Sequence, residues 1–214
     1  MKASFPLSVA AMLLATTPAY AETIIVGLDV SASNPLIAES GYAADKGRQI
    51  ADEIRKLSIG DTVIVETFGA HGSTSTTRLT VPLSNRIRPD KAAAYVQGFI
   101  GKLPQLVKAG KLRPAGETNI VSFLRTRAGR YGCDNTRYIV VTDGRESSDV
   151  VDEAALMSGR ASLPTPSQPW LSRCHVRLIG VGQGVPSQVS FRLVQQWQNH
   201  LKSAGARSIQ VQED

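Results

Sequence analysis

Asp29, Ser31 and Ser33 stand two residues apart in the segment Asp29-Val30-Ser31-Ala32-Ser33. In an extended chain alternate side chains fall on one side, so one carboxylate and two hydroxyls are expected to face the same way. Asp143, in Thr142-Asp143-Gly144, and Thr118, in Gly116-Glu117-Thr118-Asn119, add a second carboxylate and a third hydroxyl. All five are hard oxygen donors, and no His or Cys is placed to join them. Such a set suits Mg²⁺, with Mn²⁺ and Ca²⁺ as weaker fits. Two carboxylates balance the charge of the ion without excess. Binding is therefore expected to be modest, with waters or an open position left on the metal. The alternative is that Ser31 and Ser33 cap the next helix and Asp143 makes a turn with Gly144.

Other chemistries find no support. A phosphate-binding loop needs Gly-Lys-Ser/Thr opening a helix, and none is present; Gly180-Val181-Gly182-Gln183-Gly184 has the wrong spacing. The G-x-S-x-G turn of serine hydrolases is missing. His71, His175 and His200 are scattered and read as structural. An aspartyl-phosphate site at Asp29 would want a second carboxylate two residues on, where Ser31 stands.

The elements that must position the five residues alternate. Residues 23–29 (TIIVGLD) form an apolar, β-branched run without period-2 alternation, which suits a strand buried on both faces of a parallel sheet. A helix is expected over 39–57, a second strand over 62–68 and a third over 76–83. The turn cluster between the last two predicts a hairpin, and Pro82 suits an antiparallel edge. A helix over 90–107 should kink at Pro104. Further helices are expected over 118–128 and 187–204, one or two turns over 151–158, and strands over 137–143, 175–182 and 208–212. Strands separated by helices predict a doubly wound, mostly parallel α/β sheet with one antiparallel edge strand and helices on both faces. Ligands on such sheets bind beyond the carboxyl ends of the strands, where Asp29 and Asp143 fall.

The bulk properties place the chain outside the cytoplasm. Residues 1–21 carry Lys2, an apolar run and an Ala19-Tyr20-Ala21 ending, the pattern of a secretory signal peptide cleaved after Ala21. Residues 22–214 are then one domain. No later stretch is long enough to span a bilayer, so the mature protein is expected to be periplasmic or secreted. In an oxidising compartment Cys133 and Cys174 should pair. They precede the strands at 137 and 175. If those strands are neighbours, both cysteines lie at the sheet edge opposite the metal site. Closing a loop of that length is expected to stabilise by about 3–4 kcal/mol. The formal net charge is +6, yet aromatics are only 6% and no dense basic run occurs, which argues against nucleic-acid binding.

The pattern D-x-S-x-S after the first buried strand, then a Thr, then T-D-G after a later one, resembles the von Willebrand factor A domain over nearly all of the mature chain. That family carries a metal-ion-dependent adhesion site. The resemblance implies that Ser31, Ser33 and Thr118 bind the metal through hydroxyls, and that Asp29 and Asp143 hold its waters and orient those hydroxyls. It also implies that a protein partner supplies an acidic side chain to complete the coordination. Glu117 departs from the small residue usual before the Thr. The expected function is metal-dependent protein–protein interaction in a bacterial envelope assembly, without catalysis. A scaffold with a vestigial metal site and a Mg²⁺-dependent phosphoester hydrolase are the rival readings.

Overall fold

The computed structural model describes residues 21–70, 77–149 and 151–213. The expected signal peptide up to residue 20, and His71, lie outside them. The sheet is built from β1 (Thr23–Asp29), β2 (Thr62–Phe68), β3 (Arg78–Pro82), β4 (Thr136–Val141), β5 (His175–Ile179) and β6 (Ser208–Gln212). Between them run α1 (Ser40–Arg55), α2 (Pro89–Gly101), α3 (Leu103–Lys108), α4 (Ile120–Tyr131), α5 (Glu153–Ser158) and α6 (Ser187–Ser203). The strand order is β3-β2-β1-β4-β5-β6, with β2–β3 antiparallel and every other pair parallel. This is the doubly wound, mostly parallel sheet with one antiparallel edge that the sequence pattern predicts.

The core has two layers, one on each face of the sheet. Ile24, Val26 and Leu28 of β1 pack with α1, α2 and α3, whereas Ile25 lies in the layer shared with α4, α5 and α6. Burial on both faces removes the need for alternation, which is why β1 reads as a continuous apolar run. The central strand also admits α4 closely. A Cβ at Gly27 would lie 2.5 Å from the Phe123 ring, which stacks on Phe68 at 4.4 Å between centroids. The helix is thereby seated directly over β1, and its leading loop comes to lie at the strand end that carries Asp29.

Several predicted elements change, among them a helix and a strand that bear on the site. The single helix over 90–107 is two helices, α2 and α3, separated at Lys102. Pro104 has no N–H to give and crowds the carbonyl four residues earlier, and the chain answers with a break and a new first turn instead of a kink. The strand predicted over 137–143 stops at Val141, which leaves Thr142 and Asp143 in the following loop.

Candidate metal centre

Both carboxylates leave the same edge of the sheet. β1 ends at Asp29, β4 at Val141, and Leu28 stands opposite Val141. Asp29 and Asp143 are completely buried. One Asp29 oxygen, Oδ1, accepts from the Ser31 N–H at 2.8 Å; the other, Oδ2, accepts from the Thr142 hydroxyl at 2.8 Å. Asn34 Nδ2 donates to the Asp29 carbonyl at 3.1 Å. Thr142 Oγ1 in turn accepts from the Gly144 N–H at 3.0 Å. Thr142 thus links the two acidic segments.

The serines sit in a turn. The Asn34 N–H donates to the Ser31 carbonyl at 3.1 Å, closing the chain on itself just past β1. Ser31 is buried and Ser33 exposed, and their Oγ atoms are 3.3 Å apart. The extended geometry that suggested a common side is absent beyond Ser31; the turn brings the hydroxyls together instead. Neither serine caps a helix. The short 3-10 turn Pro35–Ile37 is capped by Asn34, and α1 begins after Glu39 without a side-chain cap.

Thr118 is held from two sides. The helix predicted from 118 begins at Ile120, which leaves Thr118 in the preceding loop and buried. Upstream, the Ala115 N–H donates to the Val30 carbonyl at 2.9 Å and the Ala32 N–H to the Ala115 carbonyl at 3.0 Å. At Thr118 itself, the N–H donates to the Ser147 carbonyl at 3.1 Å and the carbonyl accepts from the Ser147 N–H at 2.8 Å. The loop is therefore stitched to the Ser31 turn on one side and to the segment after Asp143 on the other. Glu117 is exposed and lines a cleft of about 640 Å³ together with Asp149, Asp152 and Glu153.

The electrostatics are those of negative charge withdrawn from water. The Asp29 carboxyl is raised to about 7, by burial first and then by the nearby Asp143 charge, against the hydrogen bonds from Ser31 and Thr142. Burial also pushes Asp143 up, opposed by the Ser33 hydroxyl and by the Arg145 N–H and guanidinium. Asp143 Oδ1 accepts from the Arg145 N–H at 3.1 Å, closing a turn over Gly144. Its Oδ2 is buried without a hydrogen-bond partner, and Arg145 Nε stands 3.5 Å away. A buried anionic oxygen without a donor is costly, and a hard cation is the group that would satisfy it. The donor set therefore fits a divalent ion. Among the described residues no group of three or more His, Cys, Asp or Glu side chains is arranged to hold a metal, so such an ion would take hydroxyls as well as carboxylates.

Four neighbours of the site were not singled out from the sequence for a role in it. They are Asn34, Thr142, Arg145 and Glu146. Glu146 is fully buried and also raised to about 7, by burial first, with the Asp29 charge adding to it. Thr142 was legible in the T-D-G motif. The others act through loop geometry that spacing does not encode. At the opposite edge of the sheet Cys133 and Cys174 form a disulfide, with Cα atoms 4.4 Å apart, just before the paired strands β4 and β5.

No protein-family model matches the chain, and no curated protein sequence matches it. Among solved structures it is similar to an aerotolerance-related membrane protein from Bacteroides fragilis, at 16% identity and a TM-score of 0.47, covering 90% of this chain and 92% of that one. It is also similar to the manganese-loaded TRAP protein of Plasmodium vivax, at 19% identity and a TM-score of 0.41, covering 82% of this chain and 63% of that one. The manganese belongs to that protein.

Proposed function

We propose that this chain is an exported binding module that recognises a protein partner through a divalent cation, Mg²⁺ or Mn²⁺, held at the carboxyl edge of its sheet. The observation that carries the reading is the Asp143 Oδ2 atom, buried without a hydrogen-bond donor beside a second fully buried carboxylate, Asp29. In this reading Ser31, Ser33 and Thr118 offer hydroxyls to the ion. Asp29 orients Ser31 through its backbone N–H, and Asp143 faces the ion with Oδ2, which accepts no hydrogen bond and has Arg145 Nε 3.5 Å away. A bound cation supplies a Lewis-acidic position that a partner's carboxylate can occupy. The acidic rim of Glu117, Asp149, Asp152 and Glu153 opposes a broadly acidic surface, so the partner offers an isolated Asp or Glu. Catalysis is not part of the proposal, because the site holds no paired nucleophile and base.

A second reading draws on Arg145. Its Nε lies 3.5 Å from Asp143 Oδ2, so the guanidinium can stand as the resident cation of a scaffold whose metal site is vestigial. The test is affinity capture from envelope extract with wild type and with the Ser31→Ala/Ser33→Ala variant. The metal reading predicts one partner band that is lost both on chelation and in the variant. A band retained under both conditions contradicts it and favours the scaffold. Turnover of a generic phosphoester with Mg²⁺, abolished in Asp29→Asn, would overturn both in favour of a hydrolase.

A further inference from the structure

Glu146 lies outside the five-residue set yet is as deeply buried as its two carboxylates. Its Oε2 accepts the Ile120 N–H at 2.8 Å and the Val121 N–H at 3.3 Å, the first two residues of α4. The first turn of a helix leaves its N–H groups without intrahelical partners, and α4 has no cap of its own, since Asn119 makes no side-chain capping bond. The cap comes instead from 26 residues downstream. Ile120 is two residues from Thr118, and Ser147, adjoining Glu146, exchanges both of its backbone hydrogen bonds with Thr118. Residues 146 and 147 therefore clamp the Thr118 loop from both ends of its last stretch, and they do so from the segment that begins with Asp143.

We infer that Glu146 is a positioning residue of the metal centre, fixing the Thr118 hydroxyl relative to the Asp143 carboxylate by capping α4. The inference rests on the metal-binding reading. A structural cap alone would be served by an exposed Ser or Asp at position 119; a fully buried Glu reaching from the Asp143 segment adds a side-chain link to the Thr118–Ser147 backbone pair. Partners that orient metal ligands typically change affinity about tenfold to a hundredfold when removed.

The experiment titrates Mn²⁺ alone into the full mature chain by calorimetry, in wild type, Glu146→Ala, Glu146→Gln, Thr118→Ala and the Thr118→Ala/Glu146→Ala double variant. Amide hydrogen exchange at Ile120 and Val121 is followed in the metal-free proteins. Glu146→Ala should weaken Mn²⁺ about tenfold or more and speed exchange at those two amides. Glu146→Gln keeps a carbonyl acceptor and should restore affinity to within about threefold of wild type. The double variant should bind no more weakly than Thr118→Ala alone, because the lever acts through a hydroxyl already removed. If Glu146→Ala does not fold, Glu146→Asp, one methylene short of the helix, replaces it throughout. Additive losses in the double variant, or wild-type affinity in Glu146→Ala despite faster exchange, overturn the inference and leave the metal reading standing. Absence of Mn²⁺ binding by wild type overturns the metal reading, and this inference with it.

Discussion

At the scale of single residues, the centre is defined by what burial does to Asp29, Asp143 and Glu146. All three carboxylates are raised, and Asp29 and Glu146 stand at about 7. A raised carboxyl binds its proton more tightly in the folded chain than in the unfolded one. Without metal, its contribution to stability is complete below the unfolded pKa of about 4 and is lost as pH rises through about 7. The metal-free protein should therefore melt higher at pH 5 than at pH 8, and a saturating divalent ion should raise the melting temperature more at pH 8 than at pH 5. Thermal unfolding at the two pH values, with chelator and with Mg²⁺, measures this; a metal-free chain more stable at pH 8 would contradict it. The D-x-S-x-S and T-D-G spacings made the oxygen-bearing side chains of Asp29, Ser31, Ser33 and Asp143 legible, because oxygen type and order are written in the sequence. Arg145 and Glu146 were not, because their roles depend on a loop whose backbone turns Asp143 Oδ1 toward Arg145 and Glu146 toward α4.

At the scale of elements, the site is held by what packs beneath it. Gly144 has φ +79°, a left-handed conformation open to Gly at little cost. Its carbonyl accepts from Trp197 Nε1 at 2.8 Å, so the buried Trp197 of α6 anchors the turn that follows Asp143. Gly27 lets α4 descend onto β1 and brings Thr118 with it. The strands were readable because β-branched apolar runs with no alternation have few other solutions. The break between α2 and α3 was not, since Pro104 announces a disturbance without saying whether the helix bends or restarts. The disulfide lies at the far edge, before β4 and β5. Replacing both cysteines by serine should lower unfolding stability by about 3–4 kcal/mol in denaturant melts while leaving Mg²⁺ affinity unchanged. A matching loss of metal affinity would show that the two edges are coupled.

At the scale of the whole molecule, the net charge of +6 is dispersed. Several arginines are engaged internally: Arg78 and Arg127 pair with the buried Glu66, and Arg137 and Arg177 with Glu53, the latter two at 3.1 Å each. Such pairs hold strands and helices together. No helix among the described residues is long and apolar enough to cross a membrane. The disulfide lies on one edge of the sheet, and the buried acids Asp29, Asp143 and Glu146 lie on the other, beyond the ends of β1 and β4. The most direct measurement is calorimetric titration of Mg²⁺ and Mn²⁺ into residues 22–214 and into the same chain carrying Asp143→Asn, which preserves shape and removes the charge. One ion bound per wild-type chain and none by a folded Asp143→Asn is the predicted result; no binding by wild type, or equal binding by both, would contradict the account.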